Sequence, residues 1–135
     1  DGNPARAQAR AREVLELVGL SDVAGERPQN LTLALRKRLE VARAVATRPK
    51  LLLLDEVLAG LNPGEVGQQL PLVRRLRDEG ITVLMIEHIV DAVMSLCDRV
   101  LVMDQGRLIA NGSPQEVART PAVIQAYLGE EVPGA

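Results

Sequence analysis

Apolar positions along this chain follow two periods, and the switches between them mark its elements. Val14, Leu15, Leu17 and Val18 recur on one face of a helix that Gly19 ends. The polar stretch 21–30, with Gly25 and Pro28, reads as a connection. Thr32 is placed to cap a second helix reaching about Thr47, with Leu35, Leu39, Ala42 and Val45 or Ala46 facing inward and Pro49 stopping it. Leu51-Leu52-Leu53-Leu54 is too short and too uniformly apolar for an amphipathic helix, so it predicts a strand buried on both faces that runs into Asp55-Glu56. After the turn 59–63, residues 64–78 predict a helix stopped by Gly80, which Pro71 should kink or interrupt. Residues 81–86 predict a second buried strand ending at Glu87-His88. A short helix from Val90 to Leu96, strands over 99–103 and 107–110 joined by Asp104-Gln105-Gly106, and a helical tail from Pro114 to about Leu128 complete the pattern.

A strand, a crossover helix and a second strand imply a parallel α/β sheet, and such sheets bind ligands outside the carboxyl ends of their strands. Both predicted strand ends carry chemistry, Asp55-Glu56 on one and Glu87-His88 on the other. At a strand end the backbone turns, so two consecutive carboxylates can reach one site. One can hold a hydrated Mg²⁺ while the other orients or deprotonates a water, which is the chemistry of nucleotide hydrolysis. Each residue alone reads as the start of a solvated loop; their joint spacing favours the site.

Composition narrows the choice. The 135 residues are 47% hydrophobic, enough for one small core, and almost wholly aliphatic, with Tyr127 the only aromatic side chain. That leaves few platforms for stacking bases, and a net charge of -2 attracts neither phosphate backbones nor anionic membranes, so no nucleic-acid partner is expected. Cys97 stands alone, which excludes an intrachain disulfide and a cysteine-based zinc cluster. No apolar run approaches the roughly 20 residues of a membrane-spanning helix. Any membrane role is then peripheral.

These residues resemble the nucleotide-binding subunits of ABC transporters. Leu51 to Glu56 looks like Walker B with its catalytic glutamate, Ala59-Gly60-Leu61-Asn62-Pro63 like the D-loop, Ile86-Glu87-His88 like the switch histidine, and 39–44 like the helix following the signature motif. The resemblance runs from about Ala11 to Glu130, and the closing runs 110–114 and 123–130 are similar to subunits that power branched-chain amino-acid importers. It implies an α/β fold, the C-terminal part of a P-loop NTPase domain, mostly parallel sheet with flanking helices. One partial domain is expected, with a helical signature region over about 1–48 and an α/β region over about 49–135.

It also implies roles and partners. Asp55 would bind Mg²⁺ through water, Glu56 would be the general base and His88 would contact the γ-phosphate of ATP. Thr32 would hold the signature hydroxyl position and Asn62 would couple two nucleotide sites. A second ATP-binding subunit and transmembrane permease subunits would be the partners, on the cytoplasmic face of the cell membrane. The chain departs from the family at Thr32-Leu33-Ala34-Leu35, where a glycine-containing loop is usual, at Val57 and at Ile89. No Gly-x-x-x-x-Gly-Lys-[Ser/Thr] loop occurs in it, so the chain reads as a fragment inactive by itself that covers its bare sheet edge by self-association. Alternative readings are a metal-dependent hydrolase built on Asp55, Glu56, Glu87 and His88, a noncatalytic interaction module, and a non-transport ABC ATPase. The run Arg36-Lys37-Arg38 reads as a solvated helix face.

Overall fold

The computed structural model describes residues 3–128, which divide between Glu87 and His88 into two compact units. In the first unit α1 (Pro4–Leu17) begins where the Asn3 side chain accepts the Ala5 amide, and it ends at Val18 before the left-handed Gly19. Two single 3-10 turns, Ser21–Val23 and Pro28–Asn30, make up the connection. Thr32 caps α2 (Leu33–Ala46) by accepting the Leu35 amide at 3.3 Å. The inward face of α2 is centred on Val41, Ala42 and Val45; Leu35 and Leu39 are only half-buried and Ala46 is exposed, so the predicted stripe is rotated toward Val41.

Strands β1 (Leu51–Asp55) and β2 (Thr82–Ile86) pair in parallel, with Leu53 opposite Leu84 and Asp55 opposite Ile86. The connecting α3 (Pro63–Asp78) opens on a capping box between Asn62 and Glu65. Pro71 does not interrupt α3. The carbonyl it leaves without a donor belongs to Gly67, and both residues lie on the exposed side, where water can satisfy it. Helix α2 packs on β1 and α3 on β2, burying Leu52 and Leu54 to 4% exposure.

The opposite face of this pair is bare. Leu51, Leu53, Leu84 and Ile86 are 53%, 65%, 52% and 61% exposed, which corrects the expectation of strands buried on both faces. An unbroken apolar run predicts two covered faces, but in this unit the described helices cover one.

Three helices of this unit are joined by side chains reaching main-chain carbonyls. Arg10 donates to Val45 O at 3.0 Å and Arg75 to Leu17 O at 3.0 Å. Gln69, buried to 5%, accepts from Arg38 Nε at 3.2 Å and donates to Ala34 O at 3.1 Å. Arg38 also donates to Gln68 O at 3.1 Å, so the basic run 36–38 is not simply a solvated face. Buried amides must find partners, and here that requirement fixes α2 against α3.

The second unit holds α4 (Val90–Leu96), the antiparallel hairpin β3 (Val100–Asp104) and β4 (Arg107–Gly112), α5 (Pro114–Ala118) and a short α6 (Pro121–Val123) followed by one π turn over Ile124–Leu128. The described strands therefore form two two-stranded sheets, and the expected parallel arrangement holds for β1 and β2 only. Gln105 and Gly106, at φ 45 and 78, make the two-residue turn whose twist matches the strands. The predicted single helical tail is broken at Thr120, extended at ψ 119 because Pro121 follows it. Val100, Val117 and Val123 form the core, with Val93, Met94, Cys97 and Ile109 packed against them.

Candidate functional site

The parallel pairing of β1 and β2 brings Asp55 and Ile86 side by side at the carboxyl ends of both strands, and the ladder extends one residue further. There the Glu56 amide donates to Ile86 O at 2.9 Å. Glu56 itself is left-handed, at φ 48, one of three non-glycine residues with positive φ among those described. Glutamate has no intrinsic preference for that conformation, which ordinarily costs an L-residue about 1–2 kcal/mol. The chain is folded back by Ala59 N donating to Glu56 O at 3.0 Å, and Lys37 Nζ from α2 donates to the same carbonyl at 3.2 Å. Asp55 and Glu56 are both exposed at this turn.

Leu58, 1% exposed, anchors the turn, and its amide donates to Glu87 Oε1 at 2.8 Å. The second oxygen, Glu87 Oε2, is buried and has no hydrogen-bond partner among the described residues. Gly60, at φ 78, then passes so close to α2 that a methyl group on it would stand 3.1 Å from Leu33 Cδ2. The Walker B-like strand end, the D-loop-like turn and the start of α2 therefore meet in one unit.

The other predicted residues occupy helix starts or the second unit. Thr32 Oγ1 is spent on the Leu35 amide, and Asn62 accepts the Glu65 amide at 3.0 Å while its own amide donates to Glu65 Oε2 at 2.9 Å. His88 is exposed and opens the second unit. Glu87 and Lys37 were not expected as parts of the turn. A carboxylate ending an otherwise apolar strand was the available signal for Glu87; Lys37 gave none, because its partner is a main-chain carbonyl.

Among the described residues no three His, Cys, Asp or Glu side chains converge as metal ligands. The two exposed carboxylates at one strand end, Asp55 and Glu56, are a donor set that a hydrated ion such as Mg²⁺ would fit. A phosphate cradle of backbone amides and a lysine is not among these residues.

The sequence matches the family described as ABC transporter over residues 2–59 and that described as branched-chain amino acid ATP-binding cassette transporter over residues 107–133. The fold matches the ADP conformation of MJ1267, an ATP-binding cassette of an ABC transporter, with a TM-score of 0.83 and 33% identity, covering 93% of this chain and 51% of that one. It also matches cbiO1 from Clostridium perfringens, part of the ABC transporter complex cbiONQ, with a TM-score of 0.83 and 32% identity over 93% of this chain and 50% of that one. The chain is thus similar to ABC-transporter ATP-binding subunits, and its fold matches part of their P-loop NTPase domain.

Among curated proteins, it is 44% identical over 122 residues to the high-affinity branched-chain amino acid transport ATP-binding protein LivG of Salmonella typhimurium, covering 90% of this chain and 48% of LivG. To BraF of Pseudomonas aeruginosa, which carries the same description, it is 43% identical over 125 residues, 92% of this chain and 49% of BraF. The chain spans about half the length of the curated relatives it matches. The two closing residues Gly129 and Glu130, part of the resemblance to these importers, lie outside the described residues. Among the described residues no helix is long and apolar enough to cross a membrane.

Proposed function

We propose that this chain carries the hydrolytic carboxylates of an ATP-binding subunit that powers import of branched-chain amino acids. The observation that carries the reading is the left-handed Glu56 at the carboxyl end of a parallel pair, next to Asp55, in a chain similar to these subunits. A backbone strain of that size persists where the surroundings impose it, and such strain gathers at functional sites. Asp55 would hold a hydrated Mg²⁺, which supplies charge neutralisation for phosphoryl transfer when bound. Glu56 orients the attacking water and takes its proton. His88 contacts the terminal phosphate, and Thr32 and Asn62 face the nucleotide site of a second ATP-binding subunit. The subunit lies peripherally on the cytoplasmic face of the membrane against permease subunits. The match of 107–133 to the branched-chain family supports the choice of solute.

The test is a chimera in which the N-terminal half of LivG is joined to this chain. Glu56→Gln should abolish ATP turnover while ATP binding persists, because only the proton acceptor is lost. His88→Ala should lower the rate more than the affinity. Restored uptake of branched-chain amino acids in cells lacking LivG would support the solute class. Near-normal hydrolysis by the Glu56→Gln chimera would refute the assignment of the base.

A further inference from the structure

We infer that Glu87 is a positioning residue whose carboxylate sets the backbone of the 56–58 turn and so the direction in which Glu56 projects. The inference rests on the reading of Glu56 as the water-orienting group. Its physical basis is the contrast between what the turn needs and what its own sequence supplies. Glu56 followed by Val57 contains no glycine, asparagine or proline to favour a left-handed residue, and yet φ there is 48. The ladder bond from Glu56 N and the turn bond to Glu56 O are main-chain contacts that any sequence would make. Two sequence-specific contacts reach this turn from outside it: Lys37 Nζ on Glu56 O and Glu87 Oε1 on Leu58 N.

Of these the Glu87 contact is the stronger. Both are charge-assisted, but the Glu87 contact is 2.8 Å long and part-buried, whereas the Lys37 contact is 3.2 Å and exposed. It also comes from a residue with little freedom. Glu87 directly follows β2, whose last residue, Ile86, is bonded to Glu56, so its carboxylate reaches Leu58 from a fixed base. Leu58 is the one nearly inaccessible side chain of the turn, and holding its amide fixes the turn against the unit's core.

The experiment uses the 135-residue chain labelled with ¹⁵N. Two signals report the turn: exchange of the Leu58 amide, and the intraresidue amide-to-Hα Overhauser effect of Glu56, which is strongest in the left-handed conformation. Glu87→Met should speed Leu58 exchange by about ten- to a hundredfold, the loss of a bond to a charged acceptor, and weaken the Glu56 signal, while Val45 and Leu76 amides are unchanged. Glu87→Gln keeps an acceptor and should restore both. If Glu87→Met does not fold, Glu87→Asp, one methylene shorter, should give the same loss. A Leu58 amide equally protected and a Glu56 still left-handed in the folded Met or Asp variant would overturn the inference. In the chimera, Glu87→Met should lower kcat with KM for ATP retained, and Gln should recover it; a KM change alone would also overturn it. Loss of turnover in Glu56→Gln with Leu58 unaffected by Glu87→Met sinks the positioning role alone, and the reverse pattern sinks the base assignment alone.

Discussion

Replacing Glu56 by glycine and by alanine should reverse the usual stability order of those two residues. Both changes delete the same side chain, so whatever the carboxylate contacts cancels from the comparison. What remains is the backbone. At an ordinary site alanine is the more stable by about 0.5–1 kcal/mol, because glycine loses more conformational freedom on folding. At φ 48 the alanine β-carbon meets the following carbonyl, at a cost of about 1–2 kcal/mol that glycine escapes. The difference leaves glycine ahead by up to about 1.5 kcal/mol. The main-chain bonds of residue 56 to Ile86, Ala59 and Lys37 are available to both variants. Urea unfolding followed by far-ultraviolet circular dichroism is the assay, because the three long helices α1, α2 and α3 all lie in the first unit, whereas Tyr127, the only aromatic residue, lies in the second. With a slope of about 1–3 kcal/mol per molar urea, a 1 kcal/mol difference moves the midpoint by about 0.3–1 M. The pair Glu40→Gly and Glu40→Ala, at an exposed interior position of α2, should show the ordinary order. Alanine ahead of glycine by the same margin at residues 56 and 40 would refute the left-handed strain at Glu56.

Four further outcomes are expected. Gln69→Met should cost about 1–3 kcal/mol for each of Ala34 O and Arg38 Nε left unpaired, read in the same urea assay. The Glu116 carboxyl lies below its usual range because it accepts first the Ser113 amide and then the Ser113 hydroxyl; its contribution to stability is therefore present above the unfolded-state pKa and lost as pH falls through the folded one, and a carboxyl NMR titration should show its low midpoint rising in Ser113→Ala. The bare face carrying Leu51, Leu53, Leu84 and Ile86 should drive self-association, so sedimentation across a concentration series should show a mass increase that Leu53→Lys removes. Calorimetry with Mg-ATP on the 135-residue chain should show no micromolar site, since the chain has no phosphate-binding loop; such a site would contradict this.

Local chemistry was readable from sequence because its partners lie within a turn. Thr32 reaches an amide three residues on, and the helix from Val90 to Leu96 came out as predicted. The two-residue turn at Gln105-Gly106 follows the same rule. Asp55 and Glu56 were legible as candidates because a run of leucines ending in carboxylates is unusual on composition alone. Leucine periodicity could not tell which strand faces are covered, since that depends on which helices pack there; Leu53 and Leu54 are chemically identical yet 65% and 4% exposed. The left-handed Glu56 was likewise invisible, because nothing near it in sequence favours it. Its turn is held by Lys37, 19 residues away, and by Glu87, 29 residues from the Leu58 amide it accepts, while Gln69 joins α3 to Ala34 across 35 residues. Contacts at such separations form only when parallel pairing of β1 with β2 and packing of α2 on α3 bring their ends together. The sequence by itself thus determined where helices and turns begin and which side chains carry chemistry, whereas the aim of those side chains was decided by tertiary structure, because a carboxylate's direction is fixed by the backbone bonds that distant residues impose.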